Sequence, residues 1–278
     1  MATITTFITG YCTHQACMAV RGVGGSKICQ FPAQCVLIET QGKLWLWDTG
    51  YANHFFDAAA EGIYRLYPKV TPVYFQSDDA VICQLNKRNI HPNDLSGMIL
   101  SHFHADHIAG VKDFEHVPVW ASQQGFDHVK HLRGFSAVRQ GFLPKLLPEN
   151  FSQRIQFIEN LRQVVLPEAL APFEMGFALP ESDEVFLLAL EGHARGQVGA
   201  FVHTDKGWIL LAADAAWSHL NYQGKPPSRL AMLVMDNAKH YHHTLYKLNQ
   251  LQQKGIAIHL SHEVFGTSVL EHNISAKS

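Results

Sequence analysis

The sequence predicts an α+β fold in which two β-sheets pack face to face with helices on the outside. Short apolar runs typical of buried strands occur in both halves of the 278-residue chain, and helical patterns lie between them. No low-complexity linker separates the two halves. We therefore expect one domain that spans residues 1–278.

The predicted strands are short apolar segments bounded by turn residues. They span Thr3–Ile8, Gln34–Thr40, Lys43–Trp47, Met98–Ser101, Val117–Ala121, Glu184–Leu190, Val198–His203, Trp208–Ala213 and Ile256–Ser261. The turns at Gln41-Gly42 and Thr204–Gly207 predict two hairpins.

Three segments carry a helical pattern, and two others carry no clear period. Helices are predicted over Ile108–Phe114, Gln123–Leu132 and Lys239–Lys254, the last with leucines at helical spacing. The segments near 52–77 and 134–157 are rich in aromatic residues, leucine and proline. They predict insertions that cover a site rather than core strands.

Composition limits the classes of partner. The chain has 47% hydrophobic and 17% charged residues and a formal net charge of −2, without a long basic run, which argues against a nucleic-acid or anionic-membrane partner. No apolar stretch approaches the roughly 20 residues that span a bilayer, and the N-terminus predicts a first strand rather than a signal peptide. We expect no membrane insertion and a small-molecule substrate.

Cysteine usage predicts a cytoplasmic protein with reduced thiols. The five cysteines are an odd number, four of them lie in the first 35 residues, and none forms a C-x-x-C pair. Cys12 and Cys17 are predicted to be inert thiols. The sequence does not decide between a monomer and a homodimer.

The most informative stretch follows the strand that ends near Ser101. His102, His104, Asp106 and His107 place three imidazoles and one carboxylate within six residues. Such a cluster is costly to bury unless it is satisfied, and imidazole nitrogen with carboxylate oxygen is a donor set for divalent metal ions. One short loop could therefore offer ligands to two adjacent ions.

Other polar candidates also stand at the ends of predicted strands. Asp48 follows the third strand, and His193, Asp214 and His262 follow strands in the second half. Active sites are often built where strand ends meet loops. A carboxylate such as Asp214 can bridge two cations and offset their repulsion.

Together these residues resemble the metallo-β-lactamase superfamily of hydrolases. The matching motifs are His102-Phe103-His104-Ala105-Asp106-His107, Gly192-His193, Ala213-Asp214 and Ser261-His262-Glu263, preceded by Asp48-Thr49-Gly50. They occur in family order over most of the chain. The resemblance implies a four-layer αββα sandwich, a binuclear metal centre and a bridging hydroxide.

The resemblance also implies a role for each matching residue. His102, His104 and His193 would hold one ion, Asp106, His107 and His262 the other, and Asp214 would lie between them. Asp48 would orient a ligand histidine. Asp106 and Asp214 are the predicted catalytic carboxylates, with Asp106 moving a proton. Zinc is the expected metal, and iron, manganese or cobalt fit the same donors.

Within the superfamily the chain looks most like the N-acyl homoserine lactonase group, with two departures. Lactonases usually place a tyrosine three residues after the bridging aspartate, where this chain has Trp217. Ala194-Arg195-Gly196-Gln197 replaces the more common Thr-Pro-Gly-His. Classes of β-lactamase that use a cysteine ligand are disfavoured, because no cysteine follows Cys83.

The expected activity is hydrolysis of a carboxylic ester or lactone, such as an acyl homoserine lactone or another substrate with an apolar acyl group. Trp217, Tyr222 and Phe142 are candidate substrate contacts. The alternatives are a metallo-phosphodiesterase or nuclease, a glyoxalase II-like thioesterase, a diiron redox protein and a noncatalytic metal-binding protein. All share the fold, and fold alone does not fix function.

Overall fold

Two β-sheets form the centre of the structure, a computed structural model that describes residues 1–263. Their strands are β1 (Thr3–Gln15), β2 (Ile28–Thr40), β3 (Lys43–Trp47), β4 (Val73–Tyr74), β5 (Leu95–Ile99), β6 (Val119–Ala121), β7 (Ile155–Phe157), β8 (Gln163–Val165), β9 (Met175–Ala178), β10 (Val185–Ala189), β11 (Val198–Thr204), β12 (Gly207–Ala213) and β13 (Ala257–Leu260). Within these residues the first sheet has the order β4-β1-β2-β3-β5-β6-β7 and the second the order β13-β12-β11-β10-β9-β8.

The helices are short, apart from one near the end of the described chain. They are α1 (Ala16–Ala19), α2 (His54–Ala59), α3 (Tyr67–Val70), α4 (Val81–Asn86), α5 (Ala105–Ile108), α6 (Gln123–Val129), α7 (Gly134–Arg139), α8 (Phe151–Arg154), α9 (His219–Tyr222) and α10 (Ala238–Gln253). Turns of 3-10 helix lie at Gly62–Leu66, Ser77–Asp79, Pro92–Asp94, Val111–Phe114, Pro144–Leu146, Ile158–Asn160, Glu168–Leu170 and Ala231–Val234. No helix within residues 1–263 is long and apolar enough to cross a bilayer.

Side-chain alternation along the strands creates the layers. In β3, Trp45 and Trp47 join the core between the sheets, whereas Leu46 joins the core under the helices of the N-terminal half. On the far side, Leu248 and Leu251 of α10 pack against the outer face of the second sheet. The result is the predicted four-layer αββα sandwich.

The predicted strands are present, and the structure lengthens two of them. β1 continues to Gln15 through an irregularity between Ile8 and Tyr11. The predicted helix over 108–114 is wrong, since α5 ends at Ile108 and a 3-10 turn follows from Val111. Between them the N–H of Gly110 donates to Thr49 Oγ1 at 3.1 Å, which stops the helix.

The segments 52–77 and 134–157 each contribute one short strand at an edge of the first sheet. β4 pairs with Tyr11 and Cys12, and β7 pairs in parallel with β6. Both are edge strands of two or three residues, too short for a period-two pattern to reveal them. The rest of both segments is helix, turn or loop. The sequence likewise missed β8 and β9.

Strand direction explains why polar residues gather at one edge. β3 and β5 are parallel, so their carboxyl ends lie together. β12 is parallel to β13, and two antiparallel steps through β11 give β10 the same direction as β12. The loops that follow β3, β5, β10, β12 and β13 carry the candidate site residues.

Candidate metal centre

Local backbone conformation aims the candidate ligands into the site. Asp48 adopts a positive φ of 56° directly after β3, and Ala213 a φ of 47° directly before Asp214. Gly192 has a φ of 125°, and a Cβ at this position would lie 2.1 Å from the backbone nitrogen of Tyr241. Only glycine fits this close approach, which sets the direction of His193.

Four side chains form the first ligand group. One donor atom from each of His102, His104, His193 and Asp214 lies within 4.8 Å of the others. His104 Nδ1 is 3.0 Å from His193 Nε2, and His193 Nε2 is 3.4 Å from Asp214 Oδ2. Three of the residues are buried and His104 is half-buried.

Three more side chains form the second ligand group next to the first. Asp106, His107 and His262 place one donor atom each within the same 4.8 Å limit. His262 Nε2 lies 3.5 Å from Asp106 Oδ2 and 3.0 Å from Asp214 Oδ2. His107 Nε2 lies 3.3 Å from Asp214 Oδ1. Asp214 therefore contacts both groups. Its Oδ2 lies near His193 of the first group and His262 of the second, and its Oδ1 lies near His107 of the second.

Hydrogen bonds on the outer ring nitrogens orient several imidazoles. His107 Nδ1 donates to Asp48 Oδ2 at 2.8 Å, and His262 Nδ1 donates to the carbonyl of Pro32 at 2.8 Å. Because these oxygens only accept, the Nδ1 atoms carry protons and the Nε2 atoms face the site. His102 Nδ1 contacts Ser101 Oγ at 3.0 Å, which leaves its Nε2 inward as well.

The histidines of the first group are neutral near pH 7. Burial, followed by repulsion from neighbouring imidazoles, lowers the pKa of His102 and of His193 well below the usual range. Burial also lowers the pKa of His104. A neutral imidazole is the form that binds a metal ion.

Carboxylates dominate the second group. Although burial lowers the pKa of His107, the charges of Asp106, Asp214 and Asp48 raise it well above its usual range. The same balance of burial against Asp214 and Asp106 raises the pKa of His262 to about 9. Burial raises the pKa of Asp214, but the two histidines outweigh it and hold that pKa well below its usual range.

The residues present fit a pair of divalent ions. His102 Nε2, His107 Nε2 and Asp214 Oδ1 are buried and have no hydrogen-bond partner among the described residues. His107 Nε2 and Asp214 Oδ1 lie 3.3 Å apart without a hydrogen bond between them. Buried polar atoms without partners are unfavourable, and cations between them would satisfy all three. The set of nitrogen and oxygen donors suits zinc and its neighbours.

The three predicted substrate contacts lie in different surroundings. Trp217 is half-buried at the site, with Nε1 3.3 Å from Asp214 Oδ2 and its ring 5.7 Å from that of His193. Tyr222 is buried in the core beneath α10, and Phe142 is buried in the core of the N-terminal half. Both packed positions favour a structural role.

The structure brings further residues to the site that the sequence did not single out. Met235 Sδ lies 3.3 Å from His193 Nδ1, and nothing in the local pattern marks this methionine. Tyr51 is buried near Cys12 and Asp106, and burial, followed by the charges of these two groups, raises the pKa of its hydroxyl well above the usual range. The position of Tyr51 directly after the Asp48-Thr49-Gly50 motif is a feature of the sequence that could have indicated its place near the site. Burial, then the charges of Asp106 and Asp214, raise the pKa of Cys12, so it stays a thiol.

A match to a protein-family model establishes the family to which this chain belongs. The model for the metallo-beta-lactamase superfamily matches residues 30–254. The chain belongs to the metallo-β-lactamase superfamily. It is a hydrolase of this superfamily, and the kinship and the sandwich fold expected from the sequence are confirmed.

Relatives in the superfamily include lactonases at low identity. An N-acyl homoserine lactonase of Bacillus cereus is 26% identical over 209 residues, which cover 72% of this chain and 70% of the relative. A probable metallo-hydrolase of Mycobacterium tuberculosis is 24% identical over 257 residues, 90% of this chain and 76% of the relative. The expected likeness to the lactonase group is thereby confirmed.

Solved structures share the fold over nearly the whole chain. An N-acyl homoserine lactone hydrolase with N-hexanoyl-L-homoserine at its catalytic metal centre superposes with a TM-score of 0.70 at 18% identity, covering 98% of this chain and 95% of that one. The dizinc lactonase AidC has a TM-score of 0.62 at 14% identity, covering 94% and 87%. At these identities the likeness establishes the fold of this metallo-β-lactamase-like chain.

Proposed function

We propose that this chain is a binuclear metal-dependent hydrolase that cleaves a carboxylic ester or lactone with an apolar acyl group. The observation that carries the proposal is the placement of seven donor residues in two adjacent groups joined by Asp214. Each group supplies three or four donors, and catalytic metal sites keep one position open for water or substrate.

The choice of a carbonyl substrate draws support from the relatives. Several are N-acyl homoserine lactonases, and one solved relative holds a ring-opened acyl homoserine at its metal centre. The formal net charge of −2 gives no support to a nucleic-acid substrate.

Asp214 and Asp106 have distinct roles in this proposal. Divalent ions bound here would lower the pKa of a coordinated water and polarise a substrate carbonyl. Asp214 spans both groups and holds them at a fixed separation. Asp106 is 11% exposed at its side chain, and its Oδ2 lies 3.7 Å from His107 Nε2. In this position Oδ2 takes up the proton that water releases when it attacks the substrate carbonyl, and it returns this proton to the leaving group.

Asp48 acts through His107. Its carboxylate is fully buried and accepts from Ser101 N and Ser101 Oγ, both at 2.7 Å, as well as from His107 Nδ1. Carboxylates that hold the outer nitrogen of a ligand histidine fix its tautomer and raise its basicity. Asp48 therefore keeps the Nε2 lone pair of His107 aimed at the site.

An apolar acyl group suits the loop beside the first ligand group. Met235 contacts His193, and the neighbouring Leu230, Leu233 and Val234 are exposed by 63%, 69% and 53%. Exposed apolar side chains clustered next to a site commonly mark where a ligand binds. This loop offers an acyl chain apolar surface within reach of the metal centre.

Zinc is the ion we propose, because imidazole nitrogen and carboxylate oxygen are its ordinary ligands, although iron, manganese and cobalt accept the same set. A cytoplasmic location is also proposed, supported by five cysteines without a disulfide. The assembly is proposed to be a monomer or a homodimer.

The proposal is tested by metal analysis combined with a substrate panel. Untagged protein should contain two divalent ions per chain. It should hydrolyse members of a panel of homoserine lactones and aryl esters, with thioesters, phosphodiesters and a β-lactam included for comparison. His262→Gln should lose metal and at least 100-fold in activity, since its ligand nitrogen is removed. The matched control is His203→Gln, whose ring stacks on Trp208 away from the site.

Two results would overturn the proposal. Turnover of phosphodiesters without hydrolysis of any carbonyl substrate would assign the chain to the phosphodiesterase alternative. Equal losses of metal in the His262 and His203 variants would show that the cluster does not hold the ions. Preference for thioesters would keep the metal centre but change the leaving atom from oxygen to sulfur.

A further inference from the structure

The indole of Trp217 faces two of the candidate ligands. Its Nε1–H donates to Asp214 Oδ2 at 3.3 Å, and its ring meets the ring of His193 edge-on at 79°. Indole is a donor only, so it cannot compete with Asp214 for a cation. Trp217 therefore contacts the carboxylate that joins the two ligand groups without being a ligand itself.

Asn221 fixes the backbone that carries Trp217. Its Oδ1 accepts from Trp217 N at 2.9 Å and from Ser218 N at 3.1 Å. Its Nδ2 donates to the carbonyls of Ala19 and Lys225 at 2.9 and 3.0 Å. Asn221 is 2% exposed, and these four bonds use the capacity of its amide. The main chain at Trp217 is thereby tied to α1.

Glu263 joins the same loop to the strand end that carries His262. Its Oε1 accepts from Ser218 Oγ at 2.6 Å and its Oε2 accepts from His219 N at 2.8 Å. Glu263 is 8% exposed and directly follows His262. A buried carboxylate that caps α9 in this way links the position of Trp217 to that of a ligand.

From these contacts we propose that Trp217 is a positioning residue for the metal centre: its N–H fixes the rotation of the Asp214 carboxylate, so that Oδ2 stays near His193 and His262 while Oδ1 faces His107. The proposal rests on the binuclear function proposed above. The terminal torsion of an aspartate is broad and has no strong preference of its own, so an external donor is needed to hold it. Trp217 supplies that donor from an anchored backbone.

The same bond limits what Trp217 offers a substrate. Because Nε1–H is engaged by Asp214, the side chain presents its ring surface and not a hydrogen-bond donor. A substrate carbonyl must take its polar contacts elsewhere in the site.

The test compares ion affinity in variants that differ in the N–H group. Trp217→Phe removes it together with part of the ring, and β-(3-benzothienyl)alanine at position 217 replaces the N–H by sulfur with nearly the same shape. Removing an outer hydrogen bond to a metal ligand typically weakens metal binding about 10- to 100-fold. We expect that loss in both variants, measured by competition of Zn²⁺ with a chromophoric chelator, and a changed visible spectrum of the Co²⁺-loaded protein. The control is Trp208→Phe.

The outcomes separate this proposal from the function on which it rests. If the benzothienyl variant binds both ions as tightly as the unaltered protein, the N–H has no positioning role and the proposal is wrong. If only Trp217→Phe is weakened, packing of the ring explains the effect, and the proposal is again wrong. If the unaltered protein binds fewer than two ions, the proposed function itself fails.

Discussion

Replacing Asp48 by asparagine tests how the structure fixes a ligand histidine. Asp48 has a φ of 56°, a conformation that asparagine also tolerates, so the backbone should stay in place. The carboxylate accepts three hydrogen bonds, two from Ser101 and one from His107 Nδ1. Asparagine has one acceptor oxygen and one donor nitrogen. If the oxygen keeps Ser101 N, the amide nitrogen faces His107 Nδ1.

This arrangement should reverse the tautomer of His107. Its Nδ1 would become an acceptor and its Nε2 would carry the proton, which blocks the nitrogen that faces Asp214 at 3.3 Å. A hydrogen bond to a charged group contributes about 1.5–3 kcal/mol. That range corresponds to a change in metal affinity of about 10- to 100-fold, since each 1.4 kcal/mol is tenfold. We expect Asp48→Asn to lose this much affinity for the ion of the second group.

The assay is a Zn²⁺ titration combined with nitrogen NMR of the histidine side chains. Asp113→Asn is the matched control, because Asp113 accepts from His54 at 2.8 Å in a similar pair away from the site. Unfolding by urea at pH 7 checks that both variants are folded. Unchanged affinity in Asp48→Asn, with His107 still protonated at Nδ1, would refute the reasoning.

Two further predictions concern packing and pH. Gly141→Ala should weaken ion binding at least tenfold, because the new Cβ would lie 2.9 Å from His104 Cδ2. The control is Gly134→Ala, since Gly134 has a similar positive φ but a Cβ there would have no neighbour within 4 Å. Equal losses of ion affinity in titrations of the two variants would contradict the explanation. Burial lowers the pKa of His259 from 6.5 to about 4, so the unfolded state binds the proton more tightly. The free energy of unfolding should therefore fall by about 3 kcal/mol as pH drops from 6.5 to 4. Urea unfolding of His259→Gln across this pH range should lack that part of the loss. If the unfolding free energies of the variant and the unaltered protein fall in parallel with pH, His259 is not the cause.

Much of the site was predictable because it depends on local density and strand ends. The run from His102 to His107 is dense enough to stand out, and Asp48, Asp214 and His262 each follow an apolar strand. These signals need only the rule that strand ends gather at one edge of a sheet. The sandwich could be predicted for another reason, because both halves contain apolar strand-like runs with helical patterns between them.

The parts that the sequence could not predict depend on long-range contacts. Met235 approaches His193 through a loop with no period, and Pro32 contributes a carbonyl whose role its side chain does not reveal. Tyr222 and Phe142 were candidate substrate contacts because aromatic residues line many pockets, yet the same residues fill cores. β7 escaped detection because three residues are too few to establish an alternating pattern.

The most direct test of the central claim is the rate of carbonyl hydrolysis as metal-free protein is titrated with Zn²⁺. The substrate should be the best ester or lactone from the panel, and the ion should be added in steps of a fraction of an equivalent. The account predicts negligible activity at the start and a rise that levels off when two ions are bound per chain. Full activity in the metal-free protein would contradict it.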